Sequence, residues 1–136
     1  MGVSILLKEK MDMSSSKTQK GTRRASTVTL SVPAVKRCLI KARALLAKGW
    51  MQGSMAALSN GEICAARDPR AAFFCLRGAV DCATNYKYDL ATGCIEALYE
   101  IVEKTDKYIG LVGWNDMPSR TQAEVLTLFD DAIAQL

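Results

Sequence analysis

The chain contains no histidine among its 136 residues. Histidine is the general base of Ser-His-Asp triads and Cys-His dyads, and it completes mixed Cys/His zinc sites. All three kinds of site are therefore excluded within this chain. We expect a protein that is not an enzyme and that binds neither a metal ion nor a cofactor. A small enzyme that works without histidine is the third alternative.

Paired cysteine motifs and long apolar runs are also absent. An odd number of cysteines, mostly on predicted apolar helix faces, favours reduced thiols in a cytoplasmic protein over a disulfide scaffold. No apolar run approaches the roughly 20 residues that span a bilayer, and residues 3–7 are too short for a signal-peptide core. We therefore predict a cytoplasmic protein without a membrane partner. The five cysteines are Cys38, Cys64, Cys75, Cys82 and Cys94.

The net charge of +4 lies at the start of the chain. Residues 1–32 contain six basic and two acidic side chains, whereas residues 33–136 contain 12 of each. The first segment is rich in Ser, Thr, Lys and Arg and has no apolar period, so burial cannot offset the entropy of ordering it. The sequence thus predicts a disordered basic tail, 1–32, and a folded domain, 33–136, whose net charge favours no polyanion.

The folded part begins with a helix and a hairpin. Pro33 suits a first helical turn, and apolar residues recur at helical spacing from Val35 until Gly49, a predicted C′ residue. The pair Asn60 and Gly61 then favours a two-residue type I′ turn. We accordingly predict a β-hairpin with strands at 50–58 and 62–66.

Capping signals mark two further helices. Asp68 as N-cap and Pro69 at the first position predict a helix that carries Cys75 about two turns inside it. Gly78 would cost this helix about 1 kcal/mol relative to alanine, which indicates a packing reason. Thr121 and Glu124 form a capping box at the start of the last helix.

A third helix is predicted near 89–104, and segment 108–114 fits either a short strand or a helical turn. About four helices and one hairpin make an α+β fold, a single small domain preceded by the disordered basic tail.

Three segments carry a resemblance to a known family: "AKGWMQG" at 47–53, "RDPRAAFFCLRGA" at 67–79 and "GWNDMPSRTQAEVLTLFDDAI" at 113–133. They resemble an uncharacterised family of small bacterial and bacteriophage proteins, one of the domains of unknown function. Its motifs are Gly-Trp-x-Gln-Gly, Cys-x-x-Gly-Ala, and Trp-Asn-Asp followed by Arg-Thr. The resemblance covers about residues 36–136 and implies a bacterial or phage source and a cytosolic setting, but no activity.

The matching positions run through all three motifs, with one departure at Ser119, where the family usually has glycine. They are Gly49, Trp50, Gln52, Gly53, Asp68, Pro69, Cys75, Gly78, Ala79, Trp114, Asn115, Asp116, Arg120, Thr121 and Glu124.

The two tryptophan segments are the main candidates for a binding surface. Tryptophan and arginine are enriched where binding energy concentrates, and here they stand beside amide and carboxylate side chains. Alternatively, both indoles fill the core and the polar residues satisfy backbone donors in a turn. We predict a small accessory or binding protein that acts through protein or small-ligand contacts at six residues: Trp50, Gln52, Trp114, Asn115, Asp116 and Arg120.

Catalytic and metal sites are less well supported. A thiolate at Cys75 would have Arg70 and Arg77 nearby in sequence, but burial in an apolar helix raises a thiol pKa and no histidine can act as base. The acidic row of the third helix fits a solvated face better than a metal site. We therefore assign Cys75 a packing role.

Nucleic-acid binding is the alternative function. The first helix carries basic side chains that continue the positive tail and could follow phosphates. A predicted hairpin separates the first two helices, so the short turn of a helix-turn-helix motif is absent. The alternative is a nucleic-acid-associated regulator with phosphate contacts from Lys36, Arg37, Lys41 and Arg43.

Overall fold

The structure, a computed structural model, describes residues 31–106 and 109–136. The predicted tail, 1–32, lies almost entirely outside the described residues. Within them, helices and a three-stranded antiparallel sheet confirm the α+β class. The elements in chain order are α1 (Val32–Lys48), β1 (Ala56–Leu58), β2 (Ile63–Cys64), β3 (Ala71–Phe74), α2 (Leu76–Ala83), α3 (Tyr88–Val102), α4 (Leu111–Asn115) and α5 (Gln122–Ala134).

The predicted first helix is confirmed as α1, at the centre of the fold. The Ser31 hydroxyl accepts a hydrogen bond from the Ala34 backbone N–H at 3.3 Å, which caps the helix start. One face of α1 is buried against α2, α3 and α5. This face consists of Val35, Leu39, Ala42 and Leu46.

The hairpin is present but its strands and turn differ from the prediction. β1 pairs antiparallel with β2 on one side and β3 on the other, giving the order β2-β1-β3. The Gly61 N–H donates to Leu58 O at 2.9 Å, and Leu58 N–H donates to Glu62 O at 2.8 Å. Gly61 has φ 92°, whereas Asn60 does not share a positive φ. The connection is therefore a three-residue loop, and the type I′ prediction is wrong.

The prediction of a helix that starts at Asp68 is also wrong. The Asp68 carboxylate accepts the Arg70 backbone N–H at 2.8 Å and its guanidinium at 3.0 Å, which closes a turn. The next residues form β3, and α2 begins only at Leu76 with Cys75 as its N-cap. Strand pairing with β1 prevails here over the local capping signal.

The packing reason predicted for Gly78 is confirmed. A Cβ added at this position would overlap the carbonyl oxygen of Met55, so only glycine lets α2 approach that segment. The same approach brings Met55 O within 3.1 Å of the Cys75 N–H, which donates to it. These contacts thus fix the start of α2 against Met55, the residue that precedes β1.

The last two helices complete the core. Segment 108–114 is predicted as strand or helical turn; its first residue lies outside the described residues, and 111–114 form most of the short helix α4. The capping box of α5 is confirmed, because Glu124 N–H donates to Thr121 Oγ1 at 3.2 Å and Thr121 N–H donates to Glu124 Oε1 at 2.9 Å. Among the helices of residues 31–106 and 109–136, none combines the length and the apolar composition that spanning a bilayer requires.

Candidate functional site

The two tryptophan segments, separate in sequence, meet in the fold. Phe74 N–H donates to Gly49 O and Met51 N–H donates to Phe74 O, each at 3.0 Å, so Trp50 lies beside the end of β3. Helix α4 brings Asn115 to the same place. The structure gathers all six predicted binding-surface residues into what we call the tryptophan junction: Trp50, Gln52, Trp114, Asn115, Asp116 and Arg120.

Asn115 is the centre of the junction and is fully buried. Its Oδ1 accepts hydrogen bonds from Trp50 Nε1 at 2.8 Å and from the Leu76 backbone N–H at 3.0 Å. Its Nδ2 donates to Met51 O at 3.1 Å and to Asp116 Oδ1 at 2.9 Å. An amide offers two acceptor and two donor positions, and all four are occupied. Asn115 therefore has no hydrogen-bonding capacity left for a ligand.

Gln52 and Asp116 hold the same two segments together from outside. Gln52 Nε2 donates to Asn115 O at 2.9 Å and to Met117 O at 2.8 Å. Asp116 Oδ1 accepts the Gly53 N–H at 3.0 Å. The polar residues of the junction satisfy backbone groups, as the alternative interpretation required, but mostly across the fold and not within their own turn.

Trp114 and Arg120 connect α4 to the start of α5. The Arg120 guanidinium lies 3.7 Å from the centroid of the buried Trp114 ring, a cation–π contact. Arg120 Nε donates to Trp114 O at 2.9 Å, and Nη1 lies 3.5 Å from Glu124 Oε1. These contacts fix the arginine and leave its side chain only 12% exposed.

A cleft of about 360 Å³ opens next to this stacked pair, between the end of α3, α4 and α5. We call it the α3–α5 cleft. Of the six predicted residues, only Trp114 and Arg120 line it. Sequence reasoning missed the others, although the acidic residues near the end of α3 and in α5 were a usable signal. Apolar lining residues are Ile101, Val102, Ala123 and Leu128, and acidic ones are Asp106, Glu124 and Asp131.

The charges in the cleft are mainly negative. Three carboxylates face one guanidinium, and that guanidinium is already engaged by Trp114 O and Glu124. The backbone N–H of Thr121, aided by Arg120, lowers the pKa of Glu124, which therefore stays ionised near neutral pH. The cleft thus presents an apolar wall beside uncompensated negative charge.

Cys75 has a structural place outside the cleft. It is only 2% exposed, and its Sγ accepts the Gly78 N–H at 3.3 Å as the cap of α2. Burial raises the pKa of its thiol, which disfavours the nucleophilic thiolate. No cluster of three or more potential metal-ligating side chains occurs in residues 31–106 and 109–136.

The predicted phosphate-contacting residues all lie on α1, away from the junction contacts. Arg43 is occupied by Asp130 of α5, with Nε–Oδ1 2.6 Å and Nη2–Oδ2 3.0 Å. Lys36, Arg37 and Lys41 form no ion pair with any described residue. The structure therefore removes Arg43 from the set that is available to an external anion.

Comparison with known proteins agrees with the sequence resemblance. The model of DUF6197, described as a family of unknown function, matches residues 31–135. This range covers nearly all the described residues and confirms the resemblance to an uncharacterised family. No curated protein and no solved structure matches the chain.

Proposed function

The chain belongs to DUF6197, a family of unknown function, and we propose that it is a small non-enzymatic binding protein that holds a positively charged, partly apolar group in the α3–α5 cleft. The observation that carries the proposal is a cleft with an apolar wall, ended by carboxylates that have few cationic partners. The proposal includes a bacterial or phage origin and a cytoplasmic location, supported by the family resemblance and by five free cysteines.

The size of the cleft suits a small organic group or one side chain of a partner protein. Its volume of about 360 Å³ lies at the lower end of the roughly 300–1,000 Å³ of small-molecule sites. The buried Trp114 ring forms a rigid part of the cleft wall, because the Arg120 guanidinium stacks on its face. A rigid aromatic wall reduces the entropy lost on binding.

The charge of the cleft selects the ligand. Asp131 has no ionic partner among the described residues, and Asp106 accepts only the neighbouring Thr105 hydroxyl at 3.2 Å. A cation bound between them would gain charge-assisted hydrogen bonds, whereas an anion would be repelled. An alkylammonium group has this combination of charge and apolar stem, as do lysine and arginine side chains of a protein partner.

A non-catalytic role is supported by the chemistry available in the chain. There is no histidine to serve as a base, and Cys75 caps a helix in a buried position. Asp116, the single carboxylate of the junction, is half buried and accepts hydrogen bonds from Gly53 N–H and Asn115 Nδ2. The junction residues therefore support the wall of the cleft and do not form a reactive centre.

The test compares two probes with the same apolar chain and opposite charge, hexylammonium and hexanoate. We expect hexylammonium to shift the amide and indole NMR signals of Trp114, and hexanoate to leave them unchanged. Asp131→Asn should weaken hexylammonium binding roughly threefold, the size of one exposed charge contact. Glu96→Gln, an exposed α3 carboxylate outside the cleft, serves as the matched control.

Equal shifts with both probes, or no shift at Trp114, would overturn the cleft as a cation site. The non-enzymatic part of the proposal fails separately. It would be contradicted by turnover of a nucleotide, peptide or ester substrate that Asp116→Ala abolishes while the domain stays folded.

A further inference from the structure

Basic and acidic side chains are unequally distributed between the first 48 residues and the rest of the chain. Residues 1–48 hold 11 basic and two acidic side chains, whereas residues 49–136 hold seven basic and 12 acidic ones. Helix α1 ends the positive part, and its 17 residues include five basic and no acidic side chains. The α3–α5 cleft and helix α1 therefore carry charge of opposite sign within one small fold.

Three of these cations form one outward stripe. At 3.6 residues per turn, Arg37, Lys41 and Lys48 fall within about 40° of one another around the helix axis and span roughly 16 Å along it. All three are exposed, and so is the small residue Ala44 between them. We call this set (Arg37, Lys41 and Lys48) the α1 stripe. An extended partner that runs along the helix axis would meet all three side chains, because they share one exposed side of α1.

The stripe has no anionic partner in the described part of the chain. None of its three side chains takes part in an ion pair or hydrogen bond there. In contrast, Arg43 on the flank of α1 holds Asp130 through two bonds, which neutralises the nearest α5 carboxylate. Arg37 and Lys41 are four residues apart, and like charges at this spacing destabilise an isolated helix. An external anion would remove this cost.

We propose that the α1 stripe binds the phosphodiester backbone of a nucleic acid without reading its sequence. A duplex carries one negative charge per roughly 1.7 Å, so three cations over about 16 Å can each find a phosphate. No aromatic side chain occurs in the stripe to stack on bases, which makes the contact a backbone one. The basic residues at 1–31 precede the stripe in the chain and carry charge of the same sign.

The test measures fluorescence anisotropy of a labelled 20-base-pair duplex of mixed sequence with the full chain at low salt. Lys41→Glu/Lys48→Glu should weaken binding roughly tenfold or more and reduce the slope of log K against log salt by about two. Lys87→Glu/Lys104→Glu changes the net charge equally at two exposed lysines outside α1. This control should stay within about twofold of wild type.

Several outcomes overturn the proposal. Equal weakening by both double variants would mean that net charge, and not the stripe, attracts the duplex. Absence of binding by the wild type, or binding only to phosphatidylserine vesicles, would equally contradict it. Circular dichroism checks that both double variants fold. If Lys41→Glu/Lys48→Glu does not fold, Lys41→Gln/Lys48→Gln takes its place in the binding measurement. Asp131→Asn should leave duplex binding unchanged. The proposal for the α1 stripe and the proposal for the α3–α5 cleft are therefore tested independently.

Discussion

At the scale of single residues, Asn115 connects more of the fold than any other polar side chain in the tryptophan junction. Its amide group bonds to Trp50, Leu76 and Met51, which come from two segments that are 39 or more residues away in sequence. Buried polar groups are stabilising only when their partners are satisfied, and here every position of the amide is used. Asn115 therefore acts as a tertiary cap for α2 and as the support of Trp50.

Replacing Asn115 tests this role. Asn115→Ala leaves the Trp50 indole N–H, the Leu76 N–H and Met51 O without a partner, and we expect a loss of about 3 kcal/mol in the free energy of unfolding. Urea denaturation measures it. The control is Asn60→Ala, which removes only one exposed bond to Glu62 N–H and should cost less than about 1 kcal/mol.

Similar losses for both variants would contradict the structural role of Asn115. If Asn115→Ala instead kept its stability and lost a ligand, Asn115 would contact that ligand directly. One pair of measurements thus distinguishes the two possible roles of Asn115, part of a binding surface or part of a structural turn.

At the scale of elements, the start of α5 contains a residue that both caps the helix and lines the α3–α5 cleft. Glu124 closes the capping box with Thr121, lies close to Arg120, and also lines the cleft. The Thr121 N–H, and secondarily Arg120, lower the pKa of the Glu124 carboxyl below its ordinary value of 4.5. A carboxyl with a depressed folded-state pKa stabilises the fold above its unfolded pKa, and this contribution is lost as pH falls through the folded pKa.

The lowered pKa of Glu124 predicts how the effect of Glu124→Gln on the free energy of unfolding changes with pH. Glutamine keeps an oxygen for Thr121 N–H but not the charge, so the variant should be less stable than wild type near neutral pH. The difference should shrink below about pH 4.5, as the wild-type carboxyl becomes protonated. Denaturation at several pH values measures both free energies, with Glu62→Gln as a control for the loss of one charge. A difference that stays constant from about pH 7 to about pH 3 would refute the linkage.

Local signals in the sequence predicted some elements correctly. Helix α1 and the α5 capping box depend on contacts within a few residues, so spacing and cap residues were sufficient to place them. The packing role of Gly78 followed from its helix cost, although its partner Met55 could not be named. These features are encoded within one or two turns of chain.

Other elements depend on partners that spacing cannot reveal. Asp68 and Pro69 carry a strong helix-start signal, yet β3 follows because its backbone pairs with β1. The α3–α5 cleft likewise exists only because the end of α3 packs beside α5. In the tryptophan junction, the sequence indicated the right residues, whereas their hydrogen bonds across 63 to 65 positions were beyond its reach.

At the scale of the whole molecule, one hydrophobic core joins α1 to every other helix group. Buried residues from α1, the sheet, α2, α3, α4 and α5 belong to a single cluster. The basic α1 stripe and the acidic cleft are both formed by elements that pack into this core. Neither surface therefore belongs to a part of the protein that folds separately. A core of this kind should unfold as one cooperative transition.

Two buried thiols allow that cooperativity to be measured. Cys75 lies at the start of α2 and Cys94 in the middle of α3, and they are 2% and 0% exposed. Burial raises the pKa of both thiols, that of Cys94 to about 12, so alkylation requires unfolding. We expect iodoacetamide to label the partly exposed Cys38, Cys64 and Cys82 in the native protein, while Cys75 and Cys94 react slowly and together.

Mass spectrometry of the labelled protein at increasing urea then gives an opening free energy for each thiol. Equal values for Cys75 and Cys94, matching the global free energy of unfolding, are expected for one cooperative unit. A lower value for Cys94 alone would show that α3 opens independently. Rapid labelling of Cys75 without denaturant would instead mean that its thiol is accessible in the folded state, and that result would revive the enzymatic alternative.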